Sequence, residues 1–217
     1  MKRMPADILR EYGPFPGVDA VSGVSFDGES VWFGSGETLN ALNPESGEIG
    51  RSLGVEADAG TAFDGTYLYQ IAETVIRKID PATGAVLGSI PAPGGGGDSG
   101  LAWAEGSLWV GQHRGRKIIQ IDPATGEVIR TIESDRFVTG VTWVDGELWH
   151  GTWQDNASDV RRIDPKTGEV LVSMEMPAGM GVSGLESDGK DRFFCGGGSS
   201  GKVRAVRRPG KAELASG

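Results

Sequence analysis

The stretch IDPATGEV, from Ile121 to Val128, occurs four times along this chain with small changes. The other copies are IDPATGAV from Ile79, IDPKTGEV from Ile163 and, more loosely, LNPESGEI from Leu42. In each copy Pro presets φ for the second position of a type I turn, the preceding Asp or Asn caps that turn, and Gly supplies the left-handed residue that closes a hairpin. The phrase therefore predicts a turn between two antiparallel strands.

A second phrase recurs out of step with the first, and each of its copies begins with a glycine. These leading glycines are Gly23, Gly60, Gly100, Gly140 and Gly184, and each phrase is followed by a β-rich run such as LWVG. A period of about 40 residues with four short strands per unit is typical of a propeller blade. The sequence therefore predicts an all-β fold, a five-bladed β-propeller with four antiparallel strands per blade and blades that start near the leading glycines.

The fifth unit ends before its fourth strand, because the chain reaches Pro209 soon after KVRAVRR. Near the N-terminus, residues 7–12 (DILREY) parallel the fourth-strand sequence EVIRTI of an earlier unit. We expect this segment to complete the last blade, close the ring and cover an edge that would otherwise promote aggregation. Residues 1–208 then form a single propeller domain, and residues 209–217 form a flexible tail.

The composition of the chain argues against two classes of partner, nucleic acids and membranes. The formal net charge of −9 repels phosphate backbones, so we expect no nucleic-acid partner. No apolar run approaches the length of a membrane span and the first residues lack the apolar segment of a signal peptide, so we expect no membrane partner. A single cysteine, Cys195, fits a reducing cytoplasm. We expect a monomer or a small homo-oligomer.

The two faces of the predicted ring differ in their loops. On one face the turns are short and nearly interchangeable, as in DPATG, whereas on the other face every loop differs, as in QHRGR and TWQDNASD. Architecture explains repetition, and binding explains departures from it. We therefore predict a site for a small-molecule or short-peptide ligand on the variable face, around the central channel.

Polar departures from the repeat give the candidate residues. The predicted catalytic residues are His150, His113, Asp98 and Glu186, and the predicted substrate-binding residues are Trp153, Glu73, Asp58 and Arg136. Carboxylates crowded at a channel mouth raise one another's pKa, which keeps a general acid protonated near neutrality. His150 ranks first because it replaces an apolar strand residue with one that titrates near pH 7. No P-loop, CxxC or histidine pair at metal spacing occurs, so no cofactor and no metal are expected.

Each candidate also has a purely structural interpretation. Asp58 and Asp98 are suited to accept hydrogen bonds from backbone amides of their own turns. His113 fits an exposed loop residue, and His150 fits a buried histidine whose ring bonds the backbone. Glu186 interrupts a column of small residues, and a buried carboxylate there requires a partner such as an Arg or a metal.

The segment FVTGVTWVDGELWHGTWQDNASDVRRIDPKTGEVL (Phe137–Leu171) resembles plant and bacterial-type glutaminyl cyclases. Those five-bladed propellers open their blades with an aromatic–Thr–X–Gly segment and close them on Arg–Arg–Ile/Val–Asp–X–X–Thr–Gly. The resemblance implies metal-free cyclisation of an N-terminal glutamine with release of ammonia, by acids and tryptophans around the channel. It also implies a catalytic acid near the residue before a leading glycine, where this chain has only Ser, Ala and Thr.

A second segment, LWVGQHRGRKIIQIDPATG (Leu108–Gly126), is similar to a blade of the streptogramin B lyases. Those are seven-bladed propellers that use a histidine and a metal-assisted elimination. The first interpretation is therefore a small-molecule enzyme of glutaminyl-cyclase type acting at the channel mouth. The alternatives are a metal-assisted lyase-like or lactone-hydrolysing propeller with a divalent metal, and a non-catalytic ligand-binding or scaffold propeller, because fold alone does not decide function.

Overall fold

The computed structural model describes residues 1–215 as five sheets arranged in a ring. Blade 1 contains β3 (Val24–Phe26), β4 (Val31–Ser35), β5 (Thr38–Leu42) and β6 (Ile49–Leu53). Blade 2 contains β7 (Thr61–Phe63), β8 (Leu68–Ala72), β9 (Val75–Ile79) and β10 (Val86–Pro91). Blade 3 contains β11 (Asp98–Ala104), β12 (Ser107–Gln112), β13 (Lys117–Ile121) and β14 (Val128–Glu133).

The last two blades include strands from the start of the chain. Blade 4 contains β15 (Phe137–Val144), β16 (Glu147–Gln154), β17 (Ala157–Ile163), β18 (Val170–Glu175) and an added outer strand, β1 (Lys2–Pro5). Blade 5 contains β19 (Leu185–Ser187), β20 (Arg192–Gly196), β21 (Val203–Arg207) and β2 (Ile8–Tyr12). The prediction of an all-β five-bladed propeller with four antiparallel strands per blade is confirmed, and β1 is an addition to it.

The N-terminal segment closes the ring, as predicted for residues 7–12. Strand β2 pairs antiparallel with β21, with Tyr12 opposite Val203 and Ile8 opposite Val206. Strand β1 then runs parallel to β18 on the neighbouring blade, a pairing that the repeat did not predict. Two consecutive strands at one end of the chain therefore tie blade 4 to blade 5.

The region expected to be a flexible tail includes a short helix, α1 (Lys211–Ala215). The Glu213 carboxylate of this helix accepts a hydrogen bond from Arg207 Nη1 at 2.9 Å. Ser216 and Gly217 lie outside the described residues. Within residues 1–215, no helix is long and apolar enough to cross a membrane.

Contacts between neighbouring blades explain why every repeat begins with a glycine. A Cβ atom on Gly60 would lie 2.4 Å from the backbone nitrogen of Leu101 in the next blade. One on Gly184 would lie 2.6 Å from the nitrogen of Val24, which carries the same contact from blade 5 to blade 1. Equivalent contacts occur at Gly23, Gly100 and Gly140. Because any side chain at these positions overlaps the backbone of the next blade, only glycine permits this spacing between neighbouring innermost strands.

Farther from the axis, outer strands bind the turns of the following blade through arginine. The three arginines at one shared outer-strand position are Arg10, Arg51 and Arg130. Arg10 Nη1 donates to the carbonyl oxygen of Pro44 at 3.1 Å, and Arg130 Nη1 donates to that of Pro165 at 2.9 Å. Arg51 bonds the turn of blade 2 in the same way. In blade 2 this position is Gly88, so the turn of blade 3 has no such arginine.

We expect Gly60→Ala to lower the free energy of unfolding by about 1–3 kcal/mol, because the added methyl group displaces the Leu101 backbone. Urea denaturation measures this change. The matched control is Gly50→Ala, since a Cβ there meets no atom within 4 Å. Equal stability of the two variants would contradict the explanation of the leading glycines by contact with the next blade.

Candidate functional site

A cavity of about 570 Å³ opens at the ring axis on the variable face. Its wall includes the residue before each leading glycine, which we call the small-residue column: Ser22, Ala59, Ser99, Thr139 and Ser183. Since one member of the column comes from every blade, this axial cavity lies at the channel mouth. It brings together four of the predicted site residues, namely Asp58, Asp98, His113 and Trp153.

Asp98 begins β11 and is 8% exposed. Its Oδ2 accepts a hydrogen bond from the Gly94 backbone nitrogen at 2.8 Å, and its Oδ1 accepts one from Gln112 Nε2 at 3.3 Å. Burial raises the pKa of the Asp98 carboxyl, while the bonds from Gly94 and Gln112 oppose that rise. Asp98 therefore holds the loop before β11, as its structural interpretation proposed, and also lines the cavity.

Asp58 brings a second carboxylate to the axial cavity from the neighbouring blade. Its side chain is exposed, in contrast to that of Asp98. Among the described residues that line the cavity there is no lysine or arginine. The wall therefore carries uncompensated negative charge and favours a cation.

The other two residues supply flat ring surfaces. His113 stacks on Phe137 with ring centroids 4.7 Å apart. Burial lowers the pKa of His113, and the charge of Arg114 lowers it further, so its imidazole is neutral at neutral pH. The half-buried indole of Trp153 lies beside the Gly181 backbone, where an added Cβ would be 3.5 Å from the ring.

His150, the highest-ranked candidate, does not reach the axial cavity. It is 1% exposed, and its Nδ1 donates to the carbonyl oxygen of Gly151 at 3.2 Å. Burial lowers the pKa of His150 to about 4, and the charge of Arg161 acts in the same direction. Its ring lines a separate small cavity with residues 133–135, at the end of the outer strand of blade 3. His150 therefore faces the end of blade 3 and not the axial cavity.

Arg136 also lies away from the axial cavity, in a charged cluster between blades 3 and 4. Its Nη1 is 3.3 Å from Oδ2 of Asp159, which is 4% exposed. Arg161, also 4% exposed, bonds the same Asp159 oxygen through Nε at 3.0 Å and Asp135 through Nη1 at 2.5 Å. The cluster fixes the loop between β14 and β15, and Arg136 belongs to that structural role.

Glu186 lies on the innermost strand β19, outside the wall of the axial cavity. Its carboxylate accepts hydrogen bonds from the Thr142 hydroxyl and, at 2.8 Å, from the Ser187 backbone nitrogen. Burial raises the pKa of Glu186 to about 7, and these two groups with Ser25 only partly oppose the rise. Glu73, in contrast, is exposed in the β8–β9 turn with φ of 52° and is also outside the cavity.

The small-residue column bonds the blades to one another. Ser99 Oγ lies 2.8 Å from the carbonyl oxygen of Val138 in the next blade, and Ser183 Oγ lies 2.5 Å from that of Val21. These hydroxyls occupy the position where the cyclase resemblance places a catalytic acid. The column is evident from the sequence, but its bonds between blades are not. No candidate residue was predicted in the Gly/Ser-rich turn 197–200, which lines the same cavity.

Within residues 1–215 the structure contains no group of three His, Cys, Asp or Glu side chains that could hold a metal ion. The metal-assisted alternative therefore has no ligand set of that kind in the described part of the chain.

Fold and site together define a five-bladed β-propeller with an acidic pocket at the mouth of its channel. A family model described as "Outer membrane protein assembly factor BamB" matches residues 72–214, about two thirds of the chain, so the chain belongs to this family. No curated protein matches the sequence.

Among solved structures, the glutaminyl cyclase of Myxococcus xanthus is similar with a TM-score of 0.76 and 21% identity, covering 95% of this chain and 97% of that one. Virginiamycin B lyase from Staphylococcus aureus is similar with a TM-score of 0.52 and 15% identity, covering 92% of this chain and 70% of that one. The resemblance to these two propeller types is confirmed at the level of fold.

The raised pKa of Glu186 predicts a pH-dependent stability. The unfolded chain ionises this group near its usual pKa of 4.5 and the folded chain near about 7, so folding loses stability as pH rises between these values. We expect Glu186→Gln to raise the free energy of unfolding by about 1–3 kcal/mol at about pH 8, with much less effect at about pH 4.5. Urea denaturation at both pH values measures it, and a less stable variant at the higher pH would contradict it.

Proposed function

We propose that this protein binds a small molecule or short peptide through a protonated amino group at the axial cavity. The observation that carries the proposal is the convergence of Asp58 and Asp98 on a cavity whose described wall has no lysine or arginine. A partly buried carboxylate attracts a cation more strongly than an exposed one, because less water screens the pair. Asp98 is also held in place by Gly94 and Gln112 before any ligand arrives, which lowers the cost of ordering it.

The rest of the wall suits the body of such a ligand. Trp153 offers an aromatic face, which favours flat groups and cations. The neutral His113 ring offers one hydrogen-bond donor and one acceptor. The volume of about 570 Å³ falls within the range of small-ligand pockets and accommodates a dipeptide.

We expect the dipeptide glutaminyl-glycine to bind at least about tenfold more tightly than its N-acetylated form, since acetylation removes the charge that the carboxylates attract. Calorimetric titration measures both affinities. Asp58→Asn and Asp98→Asn should each weaken binding of the free-amine dipeptide, and added salt should weaken it as well.

Glu73→Gln is the matched control, because it removes an exposed carboxylate from the same face without touching the cavity. Equal binding of the acetylated and free dipeptides would contradict the amine-binding proposal. So would equal losses of affinity in Glu73→Gln and Asp98→Asn.

The second candidate function is cyclisation of a bound N-terminal glutamine. It is favoured by the raised pKa of Asp98, which suits proton transfer, and by the fold shared with a glutaminyl cyclase. In this reaction the α-amino group must first lose the extra proton with which it binds, because only the neutral nitrogen has a lone pair. That nitrogen then attacks the side-chain amide carbon, a new C–N bond forms, the bond from this carbon to the amide nitrogen breaks, and ammonia leaves with the proton that the attacking nitrogen gives up. Asp98 would carry that proton, because the small-residue column contains no carboxylate.

Ammonia release from glutaminyl-glycine tests this second function directly. We expect release that a chelator does not change and that Asp98→Asn reduces by at least about a hundredfold, the scale of a lost general acid–base group. Binding of the dipeptide without ammonia release would overturn cyclisation and leave the binding function intact.

A further inference from the structure

The outer edge of blade 2 differs from every other outer edge of the ring. Blade 4 has its outer strand β18 covered by β1, whereas β2, β6, β10 and β14 are the outermost strands of their sheets. Such strands present unpaired backbone N–H and C=O groups to any chain that approaches, and proteins usually protect them with charged residues.

Charge protects three of these four strands. Strand β2 contains Arg10 and Glu11, β6 contains Arg51, and β14 contains Arg130 and Glu133. Strand β10 has the sequence VLGSIP and contains no charged residue. Two of its apolar side chains are exposed, Val86 by 50% and Leu87 by 53%.

Gly88 makes this edge more accessible still. It occupies the position at which Arg10, Arg51 and Arg130 reach over the next blade, and a Cβ there would meet no atom within 4 Å. The β10 backbone at Gly88 therefore carries no side chain of its own and is covered by none from a neighbouring blade. Ile90 is half-buried and Pro91 ends the strand, so the exposed stretch runs from Val86 to Ser89.

We propose that β10 pairs with β10 of a second copy of this chain and forms a symmetric dimer. Antiparallel pairing of one strand with its own copy is self-complementary, so a two-fold axis satisfies both edges at once. The net charge of −9 opposes contact between two copies at acidic surfaces, and β10 carries none of that charge. The pairing covers Val86 and Leu87 and joins the two second blades into one continuous sheet.

The dimer leaves the proposed ligand site open. Strand β10 is the outer strand of its blade, whereas the axial cavity is lined by residues at the inner ends of the blades. The association therefore neither requires nor blocks occupation of the cavity.

Leu87→Lys and Leu9→Lys make a matched pair for testing the proposal. Leu87 and Leu9 stand at the same irregular position, the register shift near the start of the outer strands of blades 2 and 5. Their exposed fractions are similar, 53% and 48%. A lysine is therefore tolerated by the fold at both positions, but only at Leu87 does it place a charge on the proposed interface.

We expect sedimentation equilibrium to show a dimer for the unmodified chain, at least about tenfold weaker dimerisation for Leu87→Lys and unchanged dimerisation for Leu9→Lys. Hydrogen exchange should show slower exchange of β10 amides as protein concentration rises, with no such change in β6. A monomer at all concentrations would overturn the proposal, as would equal effects of the two lysines. Weakening by Ile129→Lys on β14 and none by Leu87→Lys would place the interface on blade 3 and also overturn it.

Discussion

The contact on which the structure depends is the one between each leading glycine and the backbone of the next blade. It brings the innermost strands so close that only small residues fit beside them, which explains the Ser, Ala and Thr of the small-residue column. Farther out the blades diverge and the side chains between them grow. Ring pairs such as Tyr69 with Trp103 and Trp109 with Trp143 stack between neighbouring blades at 5.5 and 5.0 Å. At the rim, arginine side chains such as Arg51 and Arg130 reach the next blade. The increase in side-chain size along each blade follows from the angle between neighbouring sheets.

The axial cavity does not have its carboxylates at the positions that the cyclase resemblance implied. Where that resemblance places an acid, this chain has hydroxyls that bond one blade to the next. The carboxylates stand one residue earlier, at Asp58 and Asp98, and Asp98 holds its own loop as well as the cavity wall. One side chain therefore links loop stability to the charge of the pocket.

Much of the fold was predictable from sequence because turn chemistry and the glycine period are both local signals. The repeat also predicted which loops face the cavity, and this brought Asp58, Asp98, His113 and Trp153 together. It did not predict the direction of side chains within strands, so His150 and Glu186 lie elsewhere. Loop conformation was equally unpredictable, as the left-handed φ of Glu73 shows. Strand β1 has no counterpart in the repeat, and therefore no sequence pattern predicted it.

The joining of the two ends of the chain in blade 5 sets the order in which the ring is completed. Glu11 and Arg204 bond each other at 2.8 Å although 193 residues separate them. Closing so long a segment costs conformational entropy before the contact returns any energy. During synthesis, β2 must wait without its partner until β21 has left the ribosome. Strand β2 stays without its partner over that interval, which makes it the period of greatest risk of misassembly.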